Sequence, residues 1–402
     1  MVLGRDLNGK ELGRGFNQRK DGRYQARASI NGVKVVVIHP SLKELRVVFE
    51  KEKARVLREE KNLRPDLTFS DWYEEWFEKY KAPMLKSDVC RNAYGRKVRN
   101  TYVSILGGKC VDEITQMNVQ EATNELYNER NYSPKSIKEA LAIMSKCMDA
   151  AIANKIIYTN PCISVSMPRD LEPSKERRVL AHWEQELFLD ETENSYYREP
   201  YRILLLTGMR IGEFSGLQWQ DIDFERKVIK ISRSMTAAYM DGEKVLELNA
   251  PKTVNSFRDI PFFGNVEELL LEWRKKQEKY KKKLGSRWRI KSEFGDLVFT
   301  TTMGSPITRY NIVHDIRRVE QNIQMKEVER ARQEGRPPRT FEHIHPHAFR
   351  HTFATRCFEK GLDPLVVQKI MGHSNYSTTI SYTHVLQDKL KEAVERAGDL
   401  LD

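Results

Sequence analysis

Two short stretches of the sequence place an arginine three residues from a group that can orient it or move a proton. In LTGMRIGEFSGL, Arg210 is followed three residues later by Glu213. In HPHAFRH, Pro346 should open a helix from which His347 and Arg350 project on one face. Fixed guanidiniums bind pairs of anionic oxygens, and a neutral histidine can accept a proton. Taken alone, the first pair also fits an ordinary ion pair at a helix end.

Several histidines surround the second pair and raise the question of a metal ion. Four of them lie within nine positions, at 343, 345, 347 and 351. His347 and His351 have the i, i+4 spacing of two ligands on one helix face. No carboxylate or thiolate nearby completes a ligand set, and Arg350 would repel a cation. We therefore expect no metal ion here.

The segment GHSNYSTTISYTHV, residues 372–385, contains two tyrosines that could act as nucleophiles. Gly372 should end a short helix and leave His373 in the turn. Tyr376 then lies in that turn, whereas Tyr382 lies on a helix beyond it, nine residues after His373. A phenol is a poor nucleophile at neutral pH unless a base takes its proton. As an isolated feature, each tyrosine also fits a packed aromatic side chain.

In combination, these residues resemble the tyrosine recombinase (phage integrase) family. The shared pattern, spread over residues 179–402, is RxxE at Arg210–Glu213, HxxR at His347–Arg350, GH at Gly372–His373 and the tyrosine Tyr382. Lys252, in NAPKTVNSFRDIP, matches the lysine that the family carries in a turn, ahead of a basic residue and Ile-Pro. Lys230 and Lys244, on neighbouring predicted strands, are the alternative candidates.

The resemblance implies that a DNA phosphodiester is transferred to a tyrosine. Tyr382 would attack the phosphorus, with His347 as general base and His373 as a hydrogen-bond donor. Arg210 and Arg350 would bind the non-bridging oxygens, whose negative charge increases in the transition state.

Two further residues complete the set that the resemblance implies. Lys252 would protonate the departing 5′ oxygen, and Glu213 would orient its neighbours rather than react. Because a 3′-phosphotyrosyl link keeps the bond energy, the resemblance implies no ATP, no metal and no other cofactor. The sequence agrees, since it has no P-loop and no carboxylate cluster.

The composition is compatible with a nucleic-acid partner. The 402 residues carry a net charge of +11, and more than half of this excess lies in the first sixty residues. The pI is near 9.2, which favours binding to a polyanion, although a solubilising surface charge is the alternative.

The sequence gives no sign of a membrane or secreted protein. No apolar run is long enough to span a bilayer, and the N-terminus lacks the apolar core of a secretory signal. The five cysteines are scattered, with no CxxC pair, as expected of reduced thiols. We expect a bacterial protein that acts in the cytoplasm, on the nucleoid, without a membrane partner.

A multidomain α+β fold should position these residues. The predicted parts are an N-terminal arm-type DNA-binding domain at 1–64, a helical core-binding domain at 65–168, a linker at 169–178 and a catalytic domain at 179–402. The first should be a three-stranded sheet plus a helix, since Asp21-Gly22 and Asn31-Gly32 are hairpin turns and Ser41 is a helix cap. The second should be all-helical. The catalytic domain should be mainly helical with a small antiparallel sheet.

The sequence therefore predicts the integrase of a mobile genetic element, which cuts and rejoins double-stranded DNA to integrate and excise that element. As in the family, a homotetramer would act on core-type sites while the N-terminal sheet binds arm-type sites, aided by accessory DNA-bending or excision factors. The alternatives are a type IB topoisomerase-like enzyme and a non-catalytic DNA-binding regulator. The basic N-terminal module argues against the first, and six catalytic-type residues in order argue against the second.

Overall fold

The computed structural model describes residues 4–30, 33–61, 64, 66–169, 177–240, 242–250 and 257–373. The chain forms two compact units, Met1–Pro173 and Ser174–Asp402. The boundary between them falls inside the predicted linker, and the division of the first unit into two domains remains a prediction.

The first part of the first unit consists of short antiparallel strands and one helix. These elements are β1 Gly4–Arg5, β2 Glu11–Gly13, β3 Phe16–Gln18, β4 Tyr24–Ile30, β5 Val33–His39 and α1 Leu42–Lys61. Strands β3, β4 and β5 form the predicted three-stranded meander, and β1 pairs with β2. On α1, Leu45 and Phe49 are buried in the small core beside this sheet. Ser41 accepts the amide of Glu44 at 3.4 Å, as expected of a helix cap.

The second part of the first unit is helical, as predicted. Its helices are α2 Phe69–Trp76, α3 Asp88–Val98, α4 Ser104–Leu106, α5 Gln116–Asn128 and α6 Pro134–Ala153. Helix α6 begins after Ser133, which caps it by accepting the amide of Ser136 at 3.2 Å. One face of α6, including Ile137, Met144 and Met148, is buried in a core separate from that of the N-terminal sheet.

The second unit combines seven helices of the described chain with two small sheets. Its elements are α7 His182–Glu191, α8 Arg198–Thr207, α9 Ile211–Ser215, β6 Ile222–Asp223, β7 Val228–Ile231, β8 Ser234–Met240, β9 Glu243–Asn249, β10 Arg258–Pro261, α10 Val266–Leu284, α11 Arg309–Glu334, α12 Pro346–Glu359 and α13 Pro364–Met371. The mixed fold class is confirmed. The strands are divided between two sheets, since β7 pairs with β6 and β10 while β9 pairs with β8. Sequence reasoning missed β8, whose SMTAAYM residues alternate only weakly.

An aromatic cluster holds α7, α8 and α12 together. The Phe188 and Tyr201 rings lie 4.9 Å apart between centroids, and Tyr201 lies 5.5 Å from Phe349. All three rings are fully buried, so α8 and α12 have fixed relative positions. Arg350 lies on α12, and Arg210 follows the turn after α8.

Residues 272–340 had no sequence assignment, and most of them form α10 and α11. Helix α11 buries Ile312, Ile316, Val319 and Ile323, spaced four, three and four residues apart. This apolar stripe is narrow, and the other faces of the helix are mainly charged. The helical spacing of its apolar residues is therefore hard to recognise in the sequence. Among the described helices, none is both long and apolar enough to cross a membrane.

Candidate active site

The first arginine follows a sharp turn between α8 and α9. Gly208 ends α8 in the left-handed region, with φ of 59°. A side chain there would also meet the Phe353 ring, 2.3 Å from an added Cβ, so the position requires glycine. Arg210 is the N-cap of α9, and Glu213 accepts both its backbone amide at 2.9 Å and its Nη1 at 2.8 Å. The predicted ion pair is therefore also a capping device.

Glu213 has a second arginine partner that was not among the predicted site residues. Arg258, the first residue of β10, donates Nη1 to Glu213 Oε1 at 2.9 Å and Nη2 to Oε2 at 2.8 Å. Both side chains are almost fully buried, at 6% and 3% exposed. Burial alone would raise the pKa of Glu213, but Arg258, with Arg210 and Arg350, lowers it to about 2. Glu213 is therefore ionised at neutral pH.

The second arginine lies on α12, which Pro346 opens as predicted. Arg350 is only 3% exposed. Its Nη1 donates to the Gly208 carbonyl at 2.7 Å, and its Nη2 donates to the Met371 carbonyl. Arg350 therefore joins the turn before Arg210 to the end of α13.

Helix α13 ends in the predicted glycine turn. Gly372 has φ of 64°, and its amide donates to the Lys369 carbonyl at 3.1 Å. The amide of His373 donates to the Gln368 carbonyl at 3.2 Å. These two hydrogen bonds form a Schellman motif, which fixes the backbone of the residue after the helix.

The sequence DPLVVQKIMG predicts a short helix that Asp363 caps and that buries Leu365, Val366, Ile370 and Met371. This buried face requires a correction, because Leu365 and Val366 are 57% and 47% exposed. Val367 is fully buried instead, together with Ile370 and Met371. Asp363 caps the helix as expected, and positions 367, 370 and 371 then follow the i, i+3, i+4 period from that start.

Three arginines bind the three carbonyls that follow the Schellman pair. The bonds are Arg258 Nε to Ile370 at 2.5 Å, Arg350 Nη2 to Met371, and Arg210 Nη2 to Gly372 at 2.9 Å. These carbonyls form the negative end of α13, where cations are stabilised. The turn carrying His373 is thus held by guanidiniums from three different elements.

Both predicted histidines lie in this positive environment. Burial, followed by the charge of Arg350, lowers the pKa of His347. The same two causes, with Arg210, lower the pKa of His373 to about 3. Both imidazoles are therefore neutral at pH 7, so that one can accept a proton and the other can donate a single N–H. Within the described part of the chain, no three His, Cys, Asp or Glu side chains form a group suited to a metal ion.

Five of the predicted site residues thus belong to one cluster: Arg210, Glu213, His347, Arg350 and His373. Lys252, Tyr376 and Tyr382 lie outside the described residues. Of the alternative lysines, Lys230 pairs with Asp223 at 3.3 Å, and Lys244 lies 3.3 Å from the Thr308 hydroxyl.

Sequence reasoning missed the structural part played by Arg258. Arg258 was noticed only as the basic residue that precedes Ile-Pro in the family pattern. Its partner Glu213 is 45 positions away, so no local spacing reveals the contact. The available signal was a lone arginine at the start of a short strand whose Ile260 is buried.

Comparisons with known proteins agree with this arrangement. A family model described as the phage integrase family matches residues 171–389. A tyrosine recombinase XerC-like protein of Caldanaerobacter subterraneus is 29% identical over 100% of this chain and 95% of its own length. The ICEBs1 integrase of Bacillus subtilis is 27% identical over 72% of each chain. The structure of the Tn1549 transposon integrase, in complex with transposon right end DNA, is similar with a TM-score of 0.63 and 25% identity, covering 83% of this chain and 100% of that one.

The family match covers more than half of the chain and includes all the predicted site residues. The chain therefore belongs to the phage integrase family, and it is a tyrosine-type site-specific DNA recombinase, an enzyme that cleaves and rejoins DNA. This confirms the recombinase interpretation over the topoisomerase and regulator alternatives. The roles of the individual residues remain predictions.

Proposed function

We propose that this recombinase is the integrase of a mobile genetic element and that it acts through Tyr382. The observation that carries the proposal is the convergence of Arg210 and Arg350 on the turn that holds His373. Relatives named as integrases of mobile elements support the biological assignment.

In the proposed reaction, the Tyr382 hydroxyl oxygen attacks the phosphorus of the scissile phosphodiester. The O–P bond to tyrosine forms as the bond to the 5′ oxygen breaks, and His347 takes the phenol proton. Lys252 gives a proton to the departing 5′ oxygen. In the return step, a 5′ hydroxyl of another strand attacks the 3′-phosphotyrosyl bond and releases Tyr382. The number of phosphoester bonds is conserved, so no energy source is needed.

The fixed guanidiniums suit the charge that develops in this reaction. Arg210 keeps 34% of its side chain exposed, so a phosphate can reach it from solvent. Arg350 is nearly buried, and we assign it a double part, since its charge acts on the phosphate while it holds the Gly208 and Met371 carbonyls. Because both groups are already oriented, little reorganisation is needed in the transition state.

Double-stranded DNA is the proposed partner of both units. The outer face of the N-terminal sheet exposes Arg27, Lys34 and Val36, whereas Ala26 and Val35 point into the core. A strand pair with basic and small apolar side chains on one face fits a major groove, which supports arm-type binding by this sheet. We propose core-type binding by the helical part, a homotetramer on two duplexes, accessory bending or excision factors, and action on the nucleoid in the cytoplasm.

A trapped attachment site tests the catalytic assignment. The protein is incubated with a nicked attachment-site duplex, from which the cleaved 5′ end diffuses away, so that the covalent adduct accumulates. We expect an adduct with the wild type and with Tyr376→Phe, and none with Tyr382→Phe. An adduct in Tyr382→Phe refutes the nucleophile assignment. Relaxation of supercoiled plasmid without any recombinant product would instead favour a topoisomerase-like activity.

A further inference from the structure

We propose that Arg258 is a positioning residue for DNA cleavage, which couples Glu213 to the turn that carries His373. The inference rests on the proposed function, because it takes Arg210 and His373 to be groups that act on the phosphate. Arg258 itself need not touch DNA.

The contacts of Arg258 join two parts of the site. Its Nη1 and Nη2 bind both oxygens of Glu213, at 2.9 and 2.8 Å. Its Nε donates to the carbonyl of Ile370 at 2.5 Å. Glu213 in turn holds Arg210 through Nη1 at 2.8 Å. Arg258 therefore fixes Arg210 through the Glu213 carboxylate. It also fixes the backbone that leads to His373, through the Ile370 carbonyl.

The strand that carries Arg258 is itself well fixed. Arg258 lies opposite Ile231 in the β10–β7 pairing, and Ile260 two residues later is fully buried. The Arg258 side chain is thus anchored on a strand of a sheet and not on a loop. In the sequence, Lys252 lies between the end of β9 at Asn249 and the start of β10 at Arg258.

A lysine cannot replace these contacts. A guanidinium is a planar fork that matches a carboxylate with two parallel bonds and keeps Nε for a third acceptor. An ammonium keeps the charge but is a single point, so Arg258→Lys leaves either Glu213 or Ile370 poorly held. A residue needed only for net charge would tolerate that change, whereas a positioning residue would not.

The experiment measures the single-turnover rate of adduct formation on the nicked attachment site, with the full chain at saturating concentration. We expect Arg258→Lys to slow adduct formation by about 100-fold, the cost of misplacing a reacting group by about 1 Å. The dissociation constant for the same DNA should change by less than about threefold. The midpoint temperature of thermal unfolding is recorded for each variant, and rates are measured well below that temperature. Arg258→Gln is the second variant and should be slowed at least as much, whereas Arg258→Lys keeps a positive charge beside Glu213.

Arg356→Lys is the matched control. Arg356 also binds a carboxylate and a backbone carbonyl, Glu359 at 2.9 Å and Leu180 at 2.7 Å, and these contacts lie outside the site cluster. We expect its rate to stay close to that of the wild type. Equal rates for Arg258→Lys and Arg356→Lys overturn the inference.

A double-mutant cycle and a sulfur substrate sharpen the result. If Arg258 acts partly through Glu213, then Arg258→Lys combined with Glu213→Gln should lose less than the product of the two single losses. Independent, multiplying losses overturn the coupling. A 5′-bridging phosphorothiolate, whose thiolate leaves without a proton, should not restore Arg258→Lys. Restoration would mean that Arg258 serves the proton donor instead. A wild type without adduct refutes the proposed function, and this inference with it, whereas a wild-type adduct with an unimpaired Arg258→Lys refutes this inference alone.

Discussion

Arg350 on α12 donates a hydrogen bond of 2.7 Å to the carbonyl of Gly208, two residues before Arg210. The two arginines are 140 positions apart, yet one is bound to the turn from which the other projects. The distance between their guanidiniums is therefore set by a backbone contact and does not depend on a bound phosphate. A site organised before its ligand arrives needs less reorganisation during the reaction.

Glu213→Gln should destabilise the protein and reduce its sensitivity to acid. The pKa of Glu213 is about 2 in the folded chain against 4.5 normally, so its contribution is present above pH 4.5 and is lost as the pH falls toward 2. The shift corresponds to about 3 kcal/mol of unfolding free energy. Denaturant unfolding at pH 7 and between pH 5 and 3 measures both effects. Glu139→Gln, which removes an exposed pair with Lys97, is the control, and an equal loss there contradicts the prediction.

The rate of cleavage should fall in acid only below pH 6.5. Burial and Arg350 lower the pKa of His347 from 6.5, so the imidazole stays neutral through pH 7 and becomes protonated only at lower pH. Single-turnover rates between pH 5 and 8 check this expectation. His347→Gln should lose that acidic limb and slow cleavage by about 100-fold or more. An acidic limb centred at or above pH 6.5 argues against His347 as a neutral base.

The lysine assignment can be separated from its two alternatives by changing the leaving group. We expect Lys252→Ala to cleave an ordinary attachment site about 100-fold or more slowly, because the 5′ oxygen then leaves without its acid. A 5′-bridging phosphorothiolate should restore most of this rate. Lys230→Ala and Lys244→Ala are the matched variants, since both lysines lie on strands of the same unit. If the phosphorothiolate restores the cleavage rate of one of these variants and not that of Lys252→Ala, that lysine is the general acid.

Deleting residues 1–62 should separate arm-type binding from cleavage. The N-terminal sheet has its own small core around Leu45 and Phe49, distinct from the helical core that includes Met144. We expect affinity for arm-type DNA to fall at least about tenfold and to become less sensitive to salt, as basic side chains are removed. Gel-shift titrations and adduct formation on core sites test the two activities. A deleted protein that no longer cleaves core sites contradicts this modular interpretation.

Local signals predicted the elements that carry the site. Pro346 at the start of α12 and Gly372 after α13 each determine a boundary through their own backbone preference. Such features can be read from one sequence, since cause and effect lie within a few residues of each other. The resemblance then singled out residues that are far apart in the sequence, and the five of them that the structure describes lie in one cluster.

The remaining features depend on contacts between distant segments. Arg258 binds Glu213 across 45 positions and Ile370 across 112, and no periodicity encodes either distance. Val367 rather than Leu365 is buried because of the way α13 packs, which the composition of the helix does not reveal. Helix α11 was missed because its buried stripe is a minority of a charged sequence.

The binding of three arginines to the carbonyls at the end of α13 predicts how different mutant alleles should behave in a cell. Loss of Arg350 leaves the carbonyls of Gly208 and Met371 without a guanidinium donor, and unsatisfied buried groups destabilise a fold. An allele of this kind should therefore act mainly by lowering the amount of folded protein. Tyr382→Phe removes a single oxygen, so we expect its product to accumulate and to assemble with wild-type subunits in the proposed tetramer. Of the two alleles, only Tyr382→Phe should inhibit recombination in a cell that also carries the normal gene.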